Sequence, residues 1–466
     1  MNFKKGQELE LIIEGLAYGG RGIARQNNFV FFVEKAIPGQ KVLVYISRKK
    51  KDYAEARIKQ VISQSQHYTQ PKCDHFSVCG GCKTQHINYK EQINQKTIQV
   101  QNIFEKQAAI KNFKVDEVIP ANPIFNYRNK MEFTFSKNRW ILDDEPEKVE
   151  SDFALGMHIP KRWDKILDIK SCDLMPYVGS KIINFVRDLA KKSKLKPYDQ
   201  RSHIGFLRYL ALRFGQNTNE LMVNLVTSYE DLDSLIPFVE EIVNEFPEVT
   251  SVVNNINTRK ADVSFGEREI LLFGKPILNE KLNDLTFQIS ANSFFQTNSL
   301  MAEKLYDVIL DSANLSGNEI VYDLYCGAGS ISLFLARKAK FVYGFDIIVS
   351  SIENAEQNAI INNIENIDFN VANLDSFFQK NKSNKFPRPD LVIVDPPRAG
   401  MHKKMTEYLP KLNAKKIVYV SCNPSTQARD TQILQSNNYE LKKLTVVDMF
   451  PHTPHVETVG IFEKSI

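Results

Sequence analysis

Apolar runs broken by polar positions fill residues 7–61: QELELIIEGLA, NFVFFVEKA, QKVLVYISRKK and YAEARIKQVI. Gly19-Gly20 and Pro38-Gly39 separate them, and such dipeptides turn a chain sharply. Four or five short strands in about sixty residues predict a small closed β-barrel of the OB kind, a frequent nucleic-acid platform. Residues 91–107 change period, with Ile93, Ile98, Ile103 and Phe104 recurring loosely as on a helix. Between 123 and 290 the runs YRNKMEFTF, ALGMHI, RYLALRFG, ELMVNLVT, SVVNNIN and LTFQISANSFF read as strands with helical patches between them. From about residue 296 helical stretches alternate with buried strands: EIVYDLY, KFVYGFD, IDFNVAN, DLVIVDPP, KIVYVSC, then LKKLTVVDMF and ETVGIFEK. That alternation specifies a doubly wound, mostly parallel α/β sheet of the Rossmann-like kind. The expected division is a β-barrel over 1–62, a mixed α+β central domain over 63–290 and the α/β domain over 291–466, with the helix near 91–110 packing on the last.

Composition adds limits. The 466 residues, 43% apolar and 25% charged, are average for a folded globular protein and exclude bulk disorder. No apolar run approaches the ~20 residues of a membrane-spanning helix, and the start MNFKKGQELE lacks a signal peptide's apolar core. A cytoplasmic monomer without a membrane partner is expected. Charge is uneven: residues 1–60 carry twelve Lys or Arg against six Asp or Glu, while the formal net charge of the whole chain is only +5. A basic module on a near-neutral body suits a polyanion such as RNA. Arg48, Lys49, Lys50 and Lys51 are candidate phosphate contacts, and Arg128 and Lys130 mark a second basic place in the central region.

VYDLYCGAGSISLFLA, residues 321–336, is a strand, a glycine turn and a helix. Gly327 and Gly329 allow a ligand to approach the backbone, and Asp346 follows 19 residues after Gly327 at the end of the next strand, placed to accept ribose hydroxyls. A nicotinamide site would fit this much as well as one for S-adenosylmethionine (SAM). Two details favour SAM: the third glycine of the dinucleotide pattern is absent, because Ile331-Ser332 follow Gly329-Ser330, and Asp323 ends the first strand.

The next two strands end in DLVIVDPPRAG and KIVYVSCNPSTQARD. Arg398 stands where an aromatic would stack on a base amino group, which argues for an acceptor other than an exocyclic amine. Cys422 lies at a strand's carboxyl end in a polar, proline-restricted turn, as a nucleophile would. Carbon 5 of a pyrimidine needs such a thiolate on C6 before it can attack a methyl donor, and a base must then remove the C5 proton. Glu457, in FPHTPHVETVGIF, is the best-placed base, with His452 and His455 beside it as structural residues.

Cys73, Cys79, Gly80, Gly81 and Cys82 form a compact loop, and Cys172 follows ninety residues later. Three clustered thiols and a distant fourth suit structural zinc or a 4Fe–4S cluster equally by spacing. Cys326, in the glycine turn, is a spectator.

Taken together, these residues resemble the RNA uridine C5-methyltransferases that carry a TRAM domain and an iron–sulfur cluster. GLAYGGRGIA is similar to the TRAM signature and PKCDHFSVCGGCKTQH to the cluster loop, while SANSFFQTN, DLYCGAGS, DPPRAG, VSCNP and HVETV resemble the catalytic domain. The resemblance implies Cys422 as nucleophile and Glu457 as base, and Gln296, Tyr325, Ser330, Asp346, Asn373 and Asp395 around SAM. It implies Cys73, Cys79, Cys82 and Cys172 as ligands of a 4Fe–4S cluster. Asp346 stands where Glu is more usual, and Ser330 where some members have Asn. The acceptor it favours is a uridine of 23S rRNA, with a tRNA T-loop uridine as the alternative. An iron–sulfur, nucleotide-dependent oxidoreductase would leave the basic barrel, DPPR and SCNP unexplained.

Overall fold

The alternating runs at the start of the chain close on one another through a six-stranded sheet. The computed structural model describes residues 3–146, 149–374 and 386–465. Strands Glu8–Ile12, Gly15–Leu16, Gly22–Gln26, Phe29–Glu34, Lys41–Lys49 and Tyr53–Ser63 hydrogen-bond in the order first, fifth, sixth, fourth, third, second. Every second residue turns inward, as the pleat of a strand requires, so Phe31, Val33, Val42, Val44, Ile46, Ala54 and Ala56 make the core of this barrel. Arg48, Lys49, Lys50 and Lys51 stand exposed at the tip of its longest hairpin.

The middle of the chain builds an eight-stranded sheet whose strands Leu207–Phe214 and Leu221–Thr227 are buried along their whole length. Both faces are covered. Helices Tyr177–Lys192 and Leu232–Glu245 bury Ile182, Val186, Leu235 and Phe238 in one core, while Met222 and Val253 enter the core of the C-terminal body with Leu278, Phe287 and Phe334. Lys130 is ion-paired to Glu132 at 2.6 Å, and the Arg128 Nε donates to the Lys130 carbonyl at 3.0 Å, so each already has a partner at this second basic place.

The C-terminal sheet runs in the spatial order Ile367–Val371, Phe341–Asp346, Ile320–Leu324, Leu391–Val394, Lys416–Ser421, Glu457–Lys464, Tyr439–Val447, Glu117–Ile119. Its first five strands are parallel, and the last strand of the chain inserts antiparallel between Lys416–Ser421 and Tyr439–Val447. Strand order reverses beside Ile320–Leu324, which opens a crevice at the strands' carboxyl ends. Glu117–Ile119, far upstream in sequence, completes the sheet by pairing in parallel with Thr445–Val447.

Helix Tyr89–Gln107, capped by Asn88 through the Glu91 amide, packs on this body. It buries Gln92, Gln95, Lys96, Val100 and Phe104, whereas Ile98 is exposed, so the isoleucine period of the sequence does not mark the buried face. The reason is polar. The helix lies on the irregular segment 448–456, where Asp448 and the Phe450 carbonyl need donors and the His452 amide needs an acceptor. Lys96 donates to the Asp448 carboxylate at 2.6 Å and to the Phe450 carbonyl at 3.1 Å, and the Tyr89 hydroxyl donates to Asp448 at 2.8 Å. Among the described residues no helix is long and apolar enough to cross a membrane.

Removing one member of a buried, hydrogen-bonded pair strands the other. Lys96→Met should cost about 3–5 kcal/mol in denaturant unfolding, and a Lys96→Met/Asp448→Leu double variant should recover much of that loss.

Candidate active site

Ile320–Leu324 leads into a turn that the backbone makes only under strain. Tyr325 has φ 67°, Gly327 φ 54° and Gly329 φ 80° before helix Ser330–Ala336 begins. At Gly329 a Cβ would lie 2.8 Å from the Phe369 ring and 3.0 Å from the Ala355 methyl, so only glycine fits both the φ and the space. The turn is held from the next strand: Tyr325 and Cys326 amides donate to the Phe345 carbonyl, and the Gly327 amide donates to Asp346 Oδ2 at 3.0 Å. Asp346 Oδ1 accepts from the Ile348 amide at 2.9 Å. Each carboxylate oxygen keeps a lone pair for a ribose hydroxyl.

Beneath the turn Asp323 is fully buried, and burial pushes its carboxyl up to about 7 against the hydrogen bond from Ser332. Its Oδ1 has no hydrogen-bond partner among the described residues. Asp395, at the end of Leu391–Val394, is also pushed by burial to about 7. A crevice of desolvated carboxyls with an orphaned oxygen suits a cationic, hydroxyl-bearing ligand, as the sulfonium and ribose of SAM provide. Ser330 opens the helix, Asn373 lies exposed beyond Ile367–Val371, and Gln296 is part-buried, its carbonyl accepting from Asn129 Nδ2 at 2.9 Å.

Cys422 and Glu457 come together through strand register. Ser421 pairs with Thr458, so the residue after the first strand faces the residue before its partner's second position across the antiparallel pair. Thr458 Oγ1 donates to the Ser421 carbonyl at 3.1 Å and to Gln427 Oε1 at 2.7 Å, while Gln427 Nε2 donates to the Tyr419 carbonyl at 2.7 Å, which locks that register. Asn423 caps helix Pro424–Gln435 through the Ser425 amide and donates to the Arg398 carbonyl at 3.1 Å, tying the cysteine turn to the Asp-Pro-Pro loop. Burial pushes the Cys422 thiol up to about 11, with Glu457 and Asp395 adding to the rise and Arg398 opposing it. The Glu457 carboxyl, only 6% exposed, is held well above its ordinary range by burial and then by Asp395.

Two neighbours carried no sequence signal. Tyr306, buried on helix Ser299–Ala313, feels Asp395, Asp323 and Glu457, and burial raises its phenol. Asn129 bonds the Gln296 carbonyl, Ser299 Oγ and, through its amide, the Thr297 carbonyl, so it fixes the segment from another sheet. His452 and His455 are both lowered by burial, His452 to about 4, and His452 makes structural bonds to Gln92.

Cys73, Cys79, Cys82 and Cys172 lie within one another's electrostatic reach, all part-exposed, with thiols raised by burial and Cys82 reaching about 12. Gly80 permits the loop's close approach, since a Cβ there would stand 2.7 Å from the His158 carbonyl oxygen. Among the described residues no three His, Cys, Asp or Glu side chains are placed to hold a single metal ion.

A profile of the tRNA (uracil-5-)-methyltransferase family matches residues 267–465, and one of the TRAM domain matches residues 2–59. An uncharacterized RNA methyltransferase of Chlorobaculum tepidum is 37% identical, the match covering 100% of this chain and 98% of that protein. One of Porphyromonas gingivalis is 38% identical over 97% and 99%. The crystal structure of Pyrococcus abyssi tRNA (uracil-54, C5)-methyltransferase with S-adenosyl-L-homocysteine superposes with a TM-score of 0.76 at 32% identity, covering 97% of this chain and 99% of that one. With its barrel, its glycine turn and these relatives, the chain belongs to the RNA (uracil-5-)-methyltransferase family and takes its methyl group from SAM.

Proposed function

We propose that the chain methylates uridine C5 in 23S rRNA through a covalent bond between Cys422 and C6. The observation that carries the reading is the Ser421–Thr458 register, which sets a thiol and a desolvated carboxyl side by side over the cofactor crevice. The Cys422 thiolate adds to C6 and leaves C5 nucleophilic. The chemistry the cofactor supplies when bound is an electrophilic methyl group, and Gln296, Tyr325, Ser330, Asp346, Asn373 and Asp395 are the residues proposed to hold it. Glu457 then takes the C5 proton, for which its raised pKa makes it a stronger base, and the thiolate leaves by elimination.

The proposed division of labour follows the sequence boundaries: a barrel over 1–62 that grips RNA, a central region over 63–290 and a catalytic domain over 291–466. The exposed basic tip at Arg48–Lys51 supports contact with a structured RNA away from the pocket, where phosphates add salt-dependent affinity. The target ring must leave its stack to meet Cys422, which is least costly in a loop. A tRNA uridine is the second reading, favoured by the likeness to the Pyrococcus abyssi enzyme. Cys73, Cys79, Cys82 and Cys172 are proposed to hold a 4Fe–4S cluster. Four thiols close enough to act on one another electrostatically are the kind of donor set that such a cluster takes.

Cys422→Ala should abolish methyl transfer and leave SAM binding intact, while Glu457→Gln should accumulate a methylated protein–RNA adduct on denaturing gels. Normal turnover by either variant assigns that role elsewhere. Replacing any of the four clustered cysteines by Ser should remove iron and brown absorbance from anaerobically purified protein and lower its melting temperature. Protein that carries zinc and no iron would refute the cluster. Mapping 5-methyluridine in RNA from cells with and without the gene should show loss at one or two 23S rRNA positions, and loss confined to the tRNA T-loop would favour the second reading.

A further inference from the structure

The turn between the barrel's second and third strands, residues 17–21, reaches across to the catalytic body. It is tightly folded, with the Ala17 amide donating to the Arg21 carbonyl at 2.7 Å and the Gly20 amide to the Ala17 carbonyl at 2.9 Å. One end is seated on helix Tyr89–Gln107, where Gln95 Oε1 accepts from the Leu16 amide at 2.8 Å. The other end meets the cysteine loop and the segment before Glu457: a Cβ on Gly20 would stand 3.4 Å from the Lys83 side chain and 3.8 Å from Pro454.

Tyr18 is carried at the apex of this turn. Its ring packs on the apolar group of Val100, Phe104, Ala428, Leu444, Val446 and Val456, which joins the helix after Cys422 to the residue before Glu457. Its hydroxyl is buried and faces the Arg398 guanidinium, which can only donate to it, so the hydroxyl's own proton meets no acceptor among the described residues. The charged or ionisable groups that act on it are Arg398, Cys422 and Glu457. Burial raises the phenol despite Arg398, so the hydroxyl keeps its proton and remains a donor. A buried donor without an acceptor is a loss to the free protein, and native structures keep such groups where a ligand satisfies them.

We propose that Tyr18 is a catalytic residue lent by the barrel, donating a hydrogen bond to the O4 carbonyl of the target pyrimidine; this rests on the C5-methylation reading above. When the Cys422 sulfur bonds to C6, the C5–C6 π bond breaks and its electron pair moves through C5 and C4 onto O4. The C4 carbonyl becomes an enolate oxygen. A donor already aimed at that oxygen stabilises the charge as it develops, and Arg398 adds a cation from the same side. When C5 takes the methyl group the pair returns and the carbonyl re-forms, so Tyr18 never gives up its proton. Seating of the barrel thereby becomes a requirement of the chemistry and not of RNA affinity alone.

Tyr18→Phe in the full chain removes only the hydroxyl. Because that hydroxyl's proton has no acceptor and only the contact from Arg398 is lost, the variant should melt close to the parent temperature and bind SAM and RNA as the parent does. Single-turnover formation of 5-methyluridine, and of the adduct with 5-fluorouridine RNA, should fall on the order of 10²-fold. Parental rates would overturn the proposal. So would a weaker RNA affinity at unchanged single-turnover rate, which makes Tyr18 a docking contact, or a lowered melting temperature, which makes it structural. If the parent protein itself forms neither 5-methyluridine nor adduct, the C5 reading has failed, and this proposal falls with it for that separate reason.

Discussion

The insertion of Glu457–Lys464 between two neighbouring strands is the constraint on which the rest of the site depends. An antiparallel strand inserted into a parallel sheet must return from the carboxyl end of the crevice, so the segment 448–456 is forced to lie over that end. It cannot pair in a ladder, and its polar backbone must be satisfied otherwise. Lys83 and Thr84 amides donate to the His452 carbonyl, Tyr127 to the Pro451 carbonyl, Asn298 to the Met449 carbonyl and Lys96 to the Phe450 carbonyl, while Gln92 Oε1 accepts from the His452 amide. The cysteine loop, the first long helix and the central segment are therefore all attached to the residues that lead into Glu457.

Electrostatics follow from the same crowding. Asp323, Asp395 and Glu457 are all raised by desolvation first, and Asp395 raises Asp323 and Glu457 further because like charges in a low dielectric oppose ionisation. Cys422 shares that field, with Arg398 opposing its rise. In the free protein the site is thus biased toward neutral forms. A cationic methyl donor relieves the repulsion on arrival, which links cofactor occupancy to the readiness of the thiol by ordinary Coulomb interaction.

Much of the catalytic body could be read from local pattern. Parallel strands buried on both faces must be continuous apolar runs, so EIVYDLY, KFVYGFD, DLVIVDPP and KIVYVSC are visible without a structure. The glycine turn is visible because positive φ and close packing leave almost no alternative to glycine at Gly329. Cys422 stands out because a thiol among Ser, Asn and Pro is out of place as core. The helix at 89–107 was visible in its existence and misread in its face, because its buried side is polar and a hydrophobic period carries no record of donors matched to a distant loop.

What the sequence determined by itself, then, is the set of elements and the chemical kinds of groups at their ends, since both depend on neighbours within a few positions. Tertiary structure alone decided which groups meet. Glu117–Ile119 joins a sheet whose other strands begin some two hundred positions later, and Lys96 finds Asp448 across 352 positions. Tyr18 comes from the opposite end of the chain to the groups around it. Such pairings are set by register and by the need to satisfy buried polar groups across the whole fold, and no local periodicity encodes either.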